Sequence, residues 1–470
     1  MPIISNGINF RPLCVAREVA CVEAKQLRAP RGLSKLSMIA IQTSAIRKKI
    51  AIVGAGFAGL EVARALTKSA CDVTLIDRRN FHLFQPLLYQ VATAALSPAD
   101  IAEPVRRMLR ACPNAEVVLG EVTGIAAKER AVSLADGKVL TYDVLVLAAG
   151  ATHAYYGHED WEAFAPSIKT LADARSIRSK LLLSFELAEV CDDPAERKRL
   201  MTFVVVGGGP SGVELAGSIA ELARHTLARD FRRIDTKSTT VILLEAGPHI
   251  LSAFPKTLSR YAAVKLRALG VSVRENCSVR DITARNVEAG GETIPTGLTI
   301  WAAGVKAVPL GKLLGAPIDK AGRIEVAGDL AVPGFTDVYA LGDLASVRDA
   351  KGTPLPGLAQ VAKQEGQYLG RAIAENLQSG IEAAPFVFRN RGNVAIIGRH
   401  AAVMDLGWAC FSGTPAWLLW ALIHIYLLAG LQHRLLVAIQ WLWRYATYDR
   451  GARLIVEAAP VPCQGEKPAC

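Results

Sequence analysis

"AIVGAGFAGLEVA" (51–63) and "VVVGGGPSGVELA" (204–216) align without a gap, so the chain holds the same unit twice. Each copy is an apolar strand running into Gly-x-Gly-x-x-Gly and then a helix, with Gly54, Gly56 and Gly59 in the first and Gly207, Gly209 and Gly212 in the second. The first glycine permits the tight turn, the second lets a pyrophosphate approach the backbone, and the third lets helix pack on strand. A single match of this kind is weak, because glycine-rich strand ends are also ordinary turns. The strand after each copy strengthens it. "CDVTLID" ends in Asp77 and "TTVILLE" ends in Glu245, each a carboxylate at a strand end where a ribose hydroxyl is read. The second spacing is longer by a basic helix extension, "ARHTLARDFRRIDTKS" (223–238), whose plain reading is a solvated face.

Two dinucleotide sites in one chain suggest one bound flavin, FAD, and one exchanging nicotinamide, NADH. "TDVYALGDLA" (336–345) adds a short apolar strand that delivers Asp343 after a glycine, placed to accept hydrogen bonds from a ribityl or phosphate-proximal group. "VLVLAAGAT" (144–152) and "TIWAAGV" (299–305) read as the strands that close each unit and lead toward the other. Glu245 favours NADH, since a carboxylate accepts from the 2′ and 3′ hydroxyls and repels a 2′-phosphate. The expected class is α/β: two Rossmann-like dinucleotide-binding domains, as in glutathione-reductase-like flavoproteins, plus a C-terminal membrane-docking helical region. The expected divisions are a leader over 1–46, a discontinuous FAD-binding domain over 47–155 and 325–384, an NADH-binding domain over 156–324, and an anchoring region over 385–470.

The chain of 470 residues is 51% hydrophobic with 39 Gly, which suits about two to three folded domains. Its net charge of +11 is diffuse, and no aromatic-interleaved basic stripe marks a nucleic-acid surface, so an anionic membrane is the more economical partner. Cysteines at 14, 21, 71, 112, 191, 277, 410, 463 and 470 are odd in number and scattered, which fits a reducing compartment. No Cys or His spacing suggests a metal site. Residues 1–46 read as a transit peptide or as sequence upstream of a start at Met38.

"AWLLWALIHIYLLAGL" (416–431) contains no Lys, Arg, Asp or Glu, yet a helix of this length rises only ~24 Å, short of a bilayer core. With "LLVAIQWLWRY" (435–445) it reads as two short helices broken around Gly430 to Arg434. Trp417, Trp420, Trp441 and Trp443 are expected at a lipid boundary, with Arg434 and Arg444 snorkelling to head groups. The competing reading is a buried core hairpin.

From these motifs, and from "NFHLFQPLLYQVATAALSPADIAEPVR" (80–106) and "AQVAKQEG" (359–366), the chain resembles the type II, non-pumping NADH:quinone oxidoreductases over roughly 48–455. It departs at Ala149, where many flavoproteins carry Thr, and in the leader, which has no family counterpart. The resemblance implies hydride transfer from NADH to a flavin and two-electron transfer on to a membrane quinone. It places Gln360 and Gln364 near the flavin ring and quinone pocket; residues four apart on a helix do share a face. It places Glu214 near the nicotinamide as a proton route. Glu61 at the same offset in the first repeat allows the plainer reading that both acids favour the helix dipole. The implied location is peripheral, on the cytoplasmic face of a bacterial inner membrane or alternatively a mitochondrial inner membrane, with a homodimer as the oligomer to test. Rival readings are a sulfide:quinone oxidoreductase, using distant cysteines such as Cys112 and Cys277, a soluble reductase of an electron-carrier protein, and a tethered redox sensor. If the tail is only an anchor, a chain ended near Gly407 is expected to keep its flavin and pass electrons from NADH to ferricyanide, while losing membranes and long-chain quinone.

Overall fold

The computed structural model describes residues 47–456 apart from 350, 382–383, 429 and 448, so the leader expected over 1–46 lies outside the described residues. In chain order the first repeat supplies β1 (Lys48–Val53), α1 (Phe57–Ala65), β2 (Cys71–Asp77), a short helix α2 (Leu88–Ala92), β3 (Ala115–Leu119), β4 (Val144–Leu147) and a crossing strand β5 (Ala151–His153). Helix α3 (Leu171–Val190) leads into the second repeat. This supplies β6 (Thr202–Val206), α4 (Pro210–Glu221), β7 (Thr240–Leu244), α5 (Lys256–Ala268), β8 (Val271–Arg274), β9 (Leu298–Trp301) and a crossing strand β10 (Val305–Ala307). The chain then forms β11 (Val338–Ala340), α6 (Ala359–Ser379), three strands β12 (Asn393–Gly398), β13 (Ala401–Asp405) and β14 (Cys410–Ser412), and finally α7 (Thr414–Leu427) and α8 (Leu431–Thr447).

The repeats make two parallel sheets, ordered β11-β4-β1-β2-β3 and β8-β7-β6-β9. Each inserts a three-stranded antiparallel meander before its closing strand, at residues 122–141 and 279–295. The central strands "VLVL" and "TFVVV" are buried at every residue, as strands covered on both faces must be. β5 and β10 pair antiparallel and carry the chain between the sheets. β11 returns the chain to the first sheet beside β4, which sets Asp343 near the first glycine loop's sheet rather than the second's.

The basic extension after α4 differs from a solvated helix. It is one π-helical turn (Leu222–Thr226) followed by a short 3₁₀ turn, and Leu227, Ile234 and Thr236 are buried. The Thr236 hydroxyl donates to the Ala223 carbonyl at 2.7 Å, tying the insertion back onto the helix end.

The tail is neither of the two expected extremes. Strands β12 and β13 pack on α4 and α5, and α7 buries Ala416, Trp420 and His424 while leaving Leu418, Leu422 and Tyr426 exposed. α7 ends at Leu427 and α8 begins at Leu431, slightly before the expected break. Trp420 is a core residue and the partly buried Trp441 stacks on it at 4.9 Å, so both turn toward the body and not outward as expected. Trp443 is exposed as expected.

Helix α8 is inside out. Its polar groups face the protein: His433 Nε2 meets Glu103 Oε2 at 2.6 Å, Gln440 donates to Asp100, and Trp441 Nε1 and Arg444 both donate to Gln90 Oε1. Most of its apolar groups face outward, with Leu435, Leu436, Ile439, Leu442 and Trp443 exposed, while Val437 is buried. Arg444 therefore does not snorkel, and Arg434 is spent on the Leu428 carbonyl and the Tyr426 ring. Every polar contact just named lands on the 80–106 segment or on the tail itself. Among the described residues no helix is long and apolar enough to cross a membrane.

Candidate active site

The two glycine loops are superimposable in their details. Gly54 and Gly207 adopt φ +109° and +108°, and a Cβ on either would lie 2.4 Å from the Ala148 carbonyl oxygen or 2.7 Å from the Ala302 backbone. A Cβ at Gly59 or Gly212 would strike the Gly54 or Gly207 carbonyl oxygen at 2.0 or 1.9 Å, so the helix packs this close only without side chains. Beside Gly56 and Gly209 the space is open, with the nearest atom at 3.9 Å or beyond 4 Å. These two glycines are the N-caps of α1 and α4, neither end has a side-chain cap, and neither first turn holds an acid. Uncapped N–H groups facing open space fit a pyrophosphate.

The strand-end carboxylates match as well. Asp77 accepts from the Ala55 amide (2.7 Å) and the Arg79 amide (2.8 Å); Glu245 accepts from the Gly208 amide (2.6 Å) and the Gly247 amide (2.7 Å). Each carboxylate is thus fixed against its own glycine loop with lone pairs left for sugar hydroxyls. The residues present fit two dinucleotides.

The acids at the shared helix offset part company. Neither lies in the first turn, so the dipole reading loses its basis. Glu61 accepts from Gln367 at 2.8 Å and has Arg64 and Lys363 within 3.9 Å. Among the described residues Glu214 meets no cation and takes one hydrogen bond, from the Ile396 amide at 3.4 Å, and burial pushes its carboxyl up to about 8. At neutral pH it carries a proton.

Asp343 follows Gly342, whose φ is +71°, and takes an ion pair from Lys169 at 3.1 Å. The Gly342 amide donates to Glu365 at 2.6 Å, and burial raises the Glu365 carboxyl to about 7, with Asp343 adding to the rise. Gly342, Asp343 and Glu365, with Lys306, Arg323 and Gly357, line a cavity of about 120 Å³. Sequence reading missed Lys169 and Glu365. The first lies 174 residues from its partner, and the second was hidden inside a motif read only for its glutamines.

Gln360 and Gln364 do share a face of α6, but both amides are engaged with the backbone of 389–392. Gln360 donates to the Gly392 carbonyl and accepts from the Arg391 amide; Gln364 donates to the Arg389 carbonyl and accepts from the Arg389 amide. His82, from the 80–106 segment, sits edge-on to Phe57 with Nδ1 3.0 Å from the Ala55 carbonyl, and burial lowers its pKa. Cys112 packs against Thr67 in the first sheet's core, whereas Cys277 lies beside Gly290 in a separate core, so these two thiols do not form a redox pair.

Residues 48–366 match the family model described as pyridine nucleotide-disulphide oxidoreductase. The chain is 42% identical over 411 residues to the type II NADH:quinone oxidoreductase NdhA of Mycobacterium tuberculosis, covering 84% of this chain and 86% of that protein. It is 30% identical to an internal alternative NAD(P)H-ubiquinone oxidoreductase A1, mitochondrial, of Arabidopsis thaliana, covering 84% of each. The fold is that of Plasmodium falciparum NDH2, solved in complex with NADH, at a TM-score of 0.78 and 21% identity, covering 87% of this chain and all of that one. Twin glycine loops that fit dinucleotides and kinship along most of its length make this chain a member of the type II NADH:quinone oxidoreductases.

Proposed function

We infer that the protein carries two electrons from NADH to a membrane quinone without pumping protons, using FAD as its resident group. When bound, FAD supplies a hydride acceptor that can then reduce a quinone. The chain's own residues do the placing. Gly54, Gly56, Gly59 and Asp77 hold the flavin nucleotide, with Asp343 on its ribityl side and Lys169 fixing that carboxylate. Gly207, Gly209, Gly212 and Glu245 hold NADH. Glu214, protonated at neutral pH, stores a proton on the nicotinamide side. Gln360 and Gln364 shape the quinone side by holding 389–392 in place rather than by offering free amides. The divisions that support this are 47–155 with 325–384 for flavin, 156–324 for NADH, and 385 onward for docking.

The outward apolar face of α7 and α8 supports peripheral attachment to a membrane, with the polar side of α8 already satisfied by the protein. The partners in this reading are a quinone, an anionic lipid surface on the cytoplasmic face of a bacterial inner membrane, and a second copy of the chain, which light scattering tests. The observation that carries the reading is the duplicated cradle, because two dinucleotides in one chain are what hydride relay requires. NADH should bleach the flavin band at about 450 nm, and a short-chain quinone should restore it. Bleaching by sulfide but not by NADH would refute it.

A further inference from the structure

The 80–106 segment is the most distinctive stretch of this sequence, and neither cradle accounts for most of it. In the structure it is the strip on which the tail is fastened. Arg107 reaches Gln432, Glu103 meets His433, Asp100 meets Gln440, and Gln90 receives both Trp441 and Arg444. The innermost fastening is Arg450, beyond the end of α8. The residue is 8% exposed, and its guanidinium donates to the Thr93 carbonyl at 2.9 Å and to the Ser218 carbonyl and hydroxyl at 3.3 Å, with Glu221 Oε2 at 3.5 Å.

Those acceptors come from different repeats, on two helices that meet in one apolar core. Thr93 caps α2, on the segment that runs from the flavin loop, and Ser218 lies on α4, which opens from the nicotinamide loop. The two hydroxyl oxygens are 2.7 Å apart, and the Thr93 hydroxyl donates to the Tyr89 carbonyl one turn back. Residues four apart share a helix face. Tyr89 and Thr93 therefore form two rungs on α2, and Glu214 and Ser218 form two rungs on α4. The Tyr89 phenol lies near enough to the Glu214 carboxyl for ionisation of one to disfavour ionisation of the other.

We propose that Arg450 is a positioning residue for the NADH half-reaction: by bridging Thr93 and Ser218 it locks α2 to α4 and sets where Glu214 and the nicotinamide cradle stand relative to the flavin side. The tail is then part of the reductive half of the enzyme as well as its attachment to lipid. A guanidinium suits this task, because its forked donors satisfy two carbonyls, a hydroxyl and a carboxylate together, which an ammonium does not. The proposal rests on the reading of the second cradle as the NADH site.

The test is rapid mixing of flavin-loaded, full-length protein with NADH, using wild type, Arg450→Met, Arg450→Lys and Ser218→Ala. Arg450→Met should lower the limiting rate of flavin reduction by about tenfold or more, the scale of a small misplacement at a reacting centre. Its flavin content, apparent Kd for NADH and flotation with anionic liposomes should stay near wild type. Arg450→Lys should recover part of the rate. Ser218→Ala removes the Thr93 to Ser218 rung without stranding a charge, and should slow reduction in the same direction by a smaller factor. If Arg450→Met fails to hold flavin, Ser218→Ala decides. Wild-type reduction rates in both variants, or in Ser218→Ala when the other is unfolded, would overturn the proposal. A wild-type enzyme that NADH does not bleach would instead overturn the underlying NADH assignment.

Discussion

Glu245 is held at 2.6 Å by the Gly208 amide, inside the turn that opens α4, so the carboxylate proposed to read the ribose also shapes the loop proposed to take the phosphates. Both of its oxygens already accept a backbone N–H, the second from Gly247. In Glu245→Gln one of those amides would face an NH₂ group, donor against donor. The KM for NADH should rise by about tenfold, the loss of roughly one charge-assisted hydrogen bond, and the preference for NADH over NADPH should shrink. Steady-state kinetics with both cofactors measures this. Unchanged discrimination would remove Glu245 from cofactor choice.

Glu214 gives a pH signature with a definite sign. Its carboxyl is raised to about 8 in the folded protein, from 4.5 in the ordinary state, so the stability it confers is full below pH 4.5 and is lost as pH rises through about 8. Glu214→Gln is neutral throughout. Its unfolding free energy should match wild type near pH 4.5 and exceed it increasingly toward pH 8, by on the order of 4 kcal/mol at about pH 7.5, read as a higher melting temperature. Comparing the two proteins at each pH cancels Glu365, which titrates in the same window. If Glu214 also stores the reaction proton, the step near pH 8 in the flavin-reduction rate should vanish in the variant.

Gln360→Glu separates a clasp from a free quinone ligand. The carboxylate still accepts from the Arg391 amide but cannot donate to the Gly392 carbonyl, so 389–392 loosens. The KM for quinone should rise by about fivefold, in keeping with one lost hydrogen bond, while NADH to ferricyanide turnover holds. A loss confined to ferricyanide turnover would contradict the clasp.

The parts of this molecule written in local pattern were legible in the sequence. Both glycine loops, Asp77, Glu245 and the returning strand before Asp343 each depend on a few consecutive residues, and each took the expected place in the fold. The parts that depend on distant partners were not. Arg444 beside Trp443 looked like a lipid anchor because a helical stretch reveals which residues share a face but not which face turns inward. Its partner Gln90 lies 354 positions away. Lys169 beside Asp343 and Arg450 beside Ser218 escaped for the same reason. The glutamines of α6 were placed on one face correctly, yet nothing local shows that the 389–392 backbone would occupy them.

The inside-out polarity of α8 changes what truncation is expected to do and supplies a cleaner test of membrane docking. A chain ended near Gly407 loses the buried Trp420 and Arg450 and the partly buried Trp441 that stacks on Trp420. Removing even one large core side chain costs about 3–5 kcal/mol, so this truncation should lower the melting temperature and slow NADH oxidation instead of leaving the reductive half intact. Substitutions on the outer face avoid that damage. Leu435 and Leu442 are 57% and 70% exposed, so Leu435→Lys with Leu442→Lys should fold, hold flavin and reduce ferricyanide as wild type does. Each exchange removes about 1.5–3 kcal/mol of apolar burial in lipid and adds a charge, so binding to liposomes should fall by at least about tenfold even though the new charges are attracted to anionic head groups. Long-chain quinone reduction should fall with it, and short-chain quinone reduction should not. Flotation and the two quinone assays decide together: a doubly substituted protein that still floats with liposomes would mean that this face is covered by something other than lipid.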